Sequence, residues 1–126
     1  MVSFENFTME EGSPIYLQIV QFLKRGMVGG LVTDGDELPS RRVLSALLGV
    51  NPNTVQKAYR LLEEENLIQS RTGAKSYVAL TPETEQNLRK ELLRAEVGGL
   101  IAGLKQTGLS KEETLNLIET MWEEIP

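Results

Sequence analysis

The chain has 126 residues, 40% of them hydrophobic and 25% charged, which suits one globular domain with or without a short appendage and excludes two large ones. With no cysteine and no histidine it has no thiol nucleophile, disulfide, imidazole base or Cys/His metal site, so only carboxylate or lysine chemistry would remain to an enzyme. The net charge of −5 argues, taken whole, against a polyanionic partner, but the segment from Pro39 to Pro82 is basic and both flanks are acidic.

No apolar run approaches the roughly 20 residues of a membrane helix. Met1 to Glu11 form neither a basic nor an apolar signal region, so no membrane partner and a cytoplasmic location are expected. Residues 1–12 read as an N-terminal arm. Ser13 and Pro14 then predict an N-cap and first helical position, and Ile15, Tyr16, Ile19, Val20, Phe22, Leu23 and Met27 share one helical face. Gln18, Gln21, Lys24 and Arg25 take the solvated face. Gly29 and Gly30 end this helix, and Thr33 to Asp36 form a loop.

Ser40 predicts the N-cap of a short second helix that Gly49 stops, and Asn51 with Pro52 opens a third reaching about Glu65. Two short helices separated by a glycine-containing turn have the spacing of a helix-turn-helix. Leu67 to Arg71 and Ser76 to Leu80 then read as a β-hairpin turning through Thr72 to Lys75. Thr81 and Pro82 open a long helix to about Gln106, Thr107 and Gly108 break it, and Ser110 to Glu113 form a capping box for a last helix through Trp122 and Ile125.

On a helical wheel the third helix turns Val55, Ala58, Tyr59 and Leu62 to the core and Asn53, Gln56, Lys57 and Arg60 to the opposite side. Amides and cations are the groups that bond base edges and phosphates, and this face holds no carboxylate before Glu63. Arg41 and Arg42 at the start of the preceding helix, and Arg71 and Lys75 in the hairpin, add the same sign from neighbouring elements. The expected partner is double-stranded DNA.

These residues resemble a known family. Leu38-Pro39-Ser40-Arg41-Arg42, Leu44, the run from Leu48 through Asn51-Pro52-Asn53-Thr54-Val55 to Tyr59, Leu61-Leu62-Glu63 and Leu67-Ile68 are similar to the winged helix-turn-helix of GntR-family bacterial transcription regulators, and Pro14 to Ile19 to its first helix. The resemblance covers residues 13–80 and, with the short tail, is most like the YtrA subfamily, whose C-terminal helices serve mainly for dimerisation. It implies that Ser40 and Arg42 meet the DNA backbone, that Asn53, Thr54 and Gln56 sit at the groove, and that Thr72 and Gly73 form the wing tip. Pro52 stands where many relatives carry a base-reading arginine, Lys75 at the wing's second glycine, and Asn66 where a glycine is common.

The tail, residues 81–126, carries two apolar stripes on its long helix: Leu88 and Leu92 on one, Leu93, Val97, Leu100 and Leu104 on the other. One stripe can take the last helix, and the other needs a second copy of the chain; these five leucines and one valine are the expected dimerisation residues. The expected fold is therefore mainly α with a small β-hairpin wing, as a winged helix-turn-helix domain plus a C-terminal helical dimerisation hairpin. The expected function is that of a homodimeric regulator, a repressor, on a palindromic operator. No catalytic residue, metal or cofactor is expected, and an effector stays open. A winged-helix module that binds protein and not DNA is the alternative.

Overall fold

The computed structural model describes residues 1–71 and 75–126. The first helix, α1, spans Ile15–Val28 and buries Ile19, Val20, Leu23 and Met27. Its N-cap is Pro14 and makes no side-chain cap, so the expected role of Ser13 is not fulfilled. Gln18 holds this end instead: its Nε2 donates to the carbonyls of Glu10 (2.8 Å) and Ser13 (2.9 Å), and its Oε1 accepts from Glu10 N–H (2.9 Å). A residue assigned to the solvated face thus ties down the preceding segment. That segment is no loose arm, because Val2 and Phe4 are buried, Val2 N–H donates to Glu37 O (2.8 Å), and the Phe4, Phe7 and Phe22 rings lie 5.0–5.8 Å apart.

The loop after α1 contains a strand absent from the sequence reading, β1 (Glu37–Leu38), which pairs antiparallel with β3 through Glu37 opposite Tyr77 and Leu38 opposite Ser76. Gly35 at φ +87° makes the turn into it, and its N–H donates to Val78 O (2.8 Å). The expected hairpin is present as β2 (Ile68–Arg71) and β3 (Lys75–Val78), somewhat shorter than predicted, and the sheet order is β1-β3-β2. Lys75, expected in the turn, opens β3 opposite Arg71, while Thr72 and Gly73 lie outside the described residues.

Helices α2 (Arg41–Leu48) and α3 (Pro52–Glu64) begin where their caps predicted. Ser40 Oγ accepts from Val43 N–H (3.1 Å) and Asn51 Oδ1 from Asn53 N–H (2.8 Å), each satisfying a donor the helix cannot. Gly49 closes α2 in the left-handed conformation (φ +68°), and Asn66 adopts φ +61° between α3 and β2. Val55, Ala58, Tyr59 and Leu62 are fully buried, so the core face of α3 is the one the wheel gave. Val43 and Leu47, apolar residues of α2, are exposed.

Helix α4 (Pro82–Gln106) starts with Thr81 and Thr84 exchanging N–H to Oγ1 bonds (3.1 and 2.9 Å) and runs unbroken through Gly98, Gly99 and Gly103. Helix α5 (Lys111–Trp122) carries the predicted capping box between Ser110 and Glu113 and ends before Ile125. The chain forms two compact units, residues 1–89 and 90–126, a boundary nine residues later than the sequence placed it. Leu88 is the reason: expected on a dimerisation stripe, it is buried in the core of the first unit with Ile19, Leu23 and Leu80. A side chain already removed from water there cannot also meet a second copy.

Candidate nucleic-acid interface

Helix α3 presents the polar face. Asn53, Lys57 and Arg60 are exposed, Thr54 and Gln56 half-buried, and the buried set Val55, Ala58, Tyr59 and Leu62 fixes the helix roll that turns them outward. Tyr59 anchors this roll further, since its hydroxyl donates to Pro39 O at 2.6 Å just ahead of α2. Burial pushes the Tyr59 phenol far above its ordinary range, with the nearby Arg41 opposing weakly, so it stays a neutral donor at every relevant pH.

The cations expected at the interface divide by what holds them. Arg41 is turned inward: its Nη2 lies 3.2 Å from Glu63 Oε1 and its guanidinium 5.4 Å over the Tyr59 ring. Arg42, next in sequence, is exposed. Lys57 sits with Nζ 4.1 Å from the centre of the Tyr16 ring, and Arg71 lies 4.6 Å over Tyr77. Lys75 is exposed and loosely paired with Glu37 at 3.8 Å. Ser40 Oγ accepts the α2 cap bond with a lone pair, which leaves its O–H to donate to a phosphate.

Two of the three carboxylates of the basic segment, Glu63 and Glu65, are accounted for in the same way. Glu63 accepts from Ser70 Oγ (2.6 Å) as well as from Arg41, joining α2, the end of α3 and β2. Glu65 accepts from Lys24 Nζ (2.8 Å) on α1. Both are therefore spent on cations away from the exposed face of α3; the third, Glu64, is exposed and borders a shallow pocket with Lys57 and Arg60, whose two positive charges outnumber it. The partnerships of Tyr16, Tyr77 and Glu63 escaped sequence reasoning because each reaches across elements. The only signal for Tyr16 was its place on the α1 face that packs inward.

The second unit shows a different surface. Leu93, Val97, Leu100, Ile101, Leu115, Met121 and Trp122 are exposed, Trp122 by 73% and Leu100 by 50%. Leu92 and Leu104 are half-buried. The apolar face lines one groove of about 400 Å³, with Val97, Ile101 and Leu115 in its wall, and another of about 610 Å³ beside Met121 and Trp122; Leu100, Leu104 and Ile118 border both. No helix among the described residues is long and apolar enough to cross a membrane.

Comparison with known proteins agrees with this geometry. The model of bacterial regulatory proteins of the gntR family matches residues 15–78. The HTH-type transcriptional regulator YhcF of Bacillus subtilis is 34% identical over 114 residues, which covers 90% of this chain and 94% of YhcF. The HTH-type transcriptional repressor YtrA of the same bacterium is 42% identical over 94 residues, 75% of this chain and 68% of YtrA. The structure of a GntR family transcriptional regulator from Listeria monocytogenes matches with a TM-score of 0.80 at 29% identity, over 89% of this chain and 98% of that one. With two capped helices, a positive outer face on the second and a small sheet behind them, the chain belongs to the gntR family of bacterial regulatory proteins and is a DNA-binding, winged helix-turn-helix transcription regulator with YtrA-type relatives.

Proposed function

We propose that the chain binds a palindromic operator as a homodimer in the cytoplasm and represses transcription from it, without a cofactor and without catalysing a reaction. The observation that carries the dimer is the apolar surface of the second unit: a folded soluble chain rarely leaves so many large side chains of two adjoining helices in water. Leu93, Val97, Leu100 and Leu104 are the α4 contribution, joined by Ile118 and Met121 of α5, and Leu92 flanks them. A self-complementary face closes on one partner and limits assembly to two.

In each subunit Asn53, Thr54 and Gln56 read base edges, Ser40 and Arg42 meet phosphates, and Lys57, Arg60, Arg71 and Lys75 supply the remaining positive charge. Thr72 and Gly73 belong to the same proposal as the wing tip. Arg41 is reassigned from contact to support, because its charge is matched by Glu63. Repression is supported by likeness to YtrA, which is described as a repressor. Light scattering of the purified chain should give the mass of two chains, and fluorescence anisotropy should show duplex binding that weakens steeply with salt. A monomer at micromolar concentration would remove the dimer, and salt-independent binding would remove the electrostatic footprint.

A further inference from the structure

The chain has three tyrosines, and each lies beneath a cation of the basic segment: Tyr59 under Arg41 at 5.4 Å, Tyr77 under Arg71 at 4.6 Å and Tyr16 under Lys57 at 4.1 Å. In the first pair Tyr59 is buried and Arg41 half-buried, and the Glu63 carboxylate also meets Arg41, so its charge is cancelled locally. The other two differ. Lys57 and Arg71 are exposed, Tyr16 and Tyr77 are half-buried, and the rings belong to elements other than those of their cations, α1 for Lys57 of α3 and β3 for Arg71 of β2.

A ring face attracts a cation through its quadrupole and takes up no full negative charge, whereas a carboxylate both orients a cation and neutralises it. Long basic side chains otherwise lose much rotamer freedom when they settle on a phosphate. A cation already resting on a ring has lost part of that freedom before DNA arrives, and its N–H donors remain available. We propose that Tyr16 and Tyr77 are positioning residues of the DNA interface, each holding one phosphate-binding cation in place with its charge intact. This rests on the DNA-binding reading above.

The test compares Tyr→Phe with Tyr→Leu at each position in the full chain. Phenylalanine keeps the ring face and loses the hydroxyl; leucine loses the face. Tyr77 lies outside the hydrophobic core cluster, so Tyr77→Leu guards against loss of folding at Tyr16, which packs against that cluster. The probe is a short mixed-sequence DNA duplex titrated at several salt concentrations. Each Leu variant should bind about two- to fivefold more weakly per subunit, with the dependence of log K on log salt unchanged, and each Phe variant should bind like the parent. Unchanged affinity in the Tyr77→Leu chain, equal losses in Phe and Leu variants, or a shallower salt slope would overturn the proposal. In the free protein, ring-current displacement of the Lys57 side-chain proton resonances should persist in Tyr16→Phe and vanish in Tyr16→Leu. If it does so but the parent binds no duplex, the DNA reading has failed; if the parent binds and the Leu variants match it, the positioning role has failed.

Discussion

Arg41 and Arg42 carry the same charge one position apart and have different surroundings. Arg41 is paired with Glu63 at 3.2 Å and covers Tyr59, whereas Arg42 is exposed at the start of α2. Arg42→Ala should therefore make the salt dependence of DNA binding shallower by about one phosphate, while Arg41→Ala should leave that slope alone and lower folding stability by about 1 kcal/mol. Titration of duplex DNA at several salt concentrations, with urea unfolding of the same variants, separates the two. Gln56 has an amide able to bond adenine bidentately, so Gln56→Ala should cost about 1–3 kcal/mol per half-site on the operator and relax preference at one base pair. An equal loss on mixed-sequence DNA would make Gln56 a phosphate contact. The cationic residues were legible in the sequence as a local excess of charge. Their division was not, because Glu63 stands 22 residues from Arg41 and periodicity says nothing about which carboxylate a side chain meets.

At the scale of elements, what was legible was local. The Ser40, Asn51 and Ser110 caps act within three residues of themselves, so their residue types announce α2, α3 and α5 in the right places. Strand β1 was illegible because a two-residue strand has no periodicity and exists only through β3, some forty residues on. Gly49 supports a turn that side chains disfavour, at φ +68°; Gly49→Ala should destabilise the first unit by about 1 kcal/mol in urea unfolding, and Asn66→Gly, at φ +61°, should not destabilise it. The capping box of α5 is pH-sensitive in a definite direction. Hydrogen bonds from the Ser110 backbone and side chain hold the Glu113 carboxyl below its ordinary value, so its support of α5 is present above the usual carboxylate range and is lost as pH falls through the lowered folded value. Circular dichroism of the full chain should show helix lost on acidification, and Glu113→Gln should weaken the helix already at neutral pH and reduce that pH dependence.

For the whole molecule, Leu88 decides where the two units divide. Because it lies in the core of the first unit, a chain cut at Leu80 would open that core, whereas one ending at Arg89 keeps it. The longer truncation should fold and sediment as a monomer; Leu88→Ala in the full chain should cost about 2–5 kcal/mol of stability without separating the dimer. Replacing Leu100 with Glu should instead give a folded monomer, since a charge buried unpaired in the interface is costlier than one in water. The stripes of α4 were visible as spacing, but the assignment of Leu88 to one of them failed because spacing does not say which neighbour a stripe meets. A chain that reads DNA sequence as a symmetric pair is tested most directly by selecting the duplexes that the 126-residue chain binds from a random pool. An inverted repeat should be enriched, bound about 10³-fold or more tighter than mixed-sequence DNA at the same salt. A pool that stays unenriched after repeated rounds, or yields only a single unrepeated half-site, would contradict it.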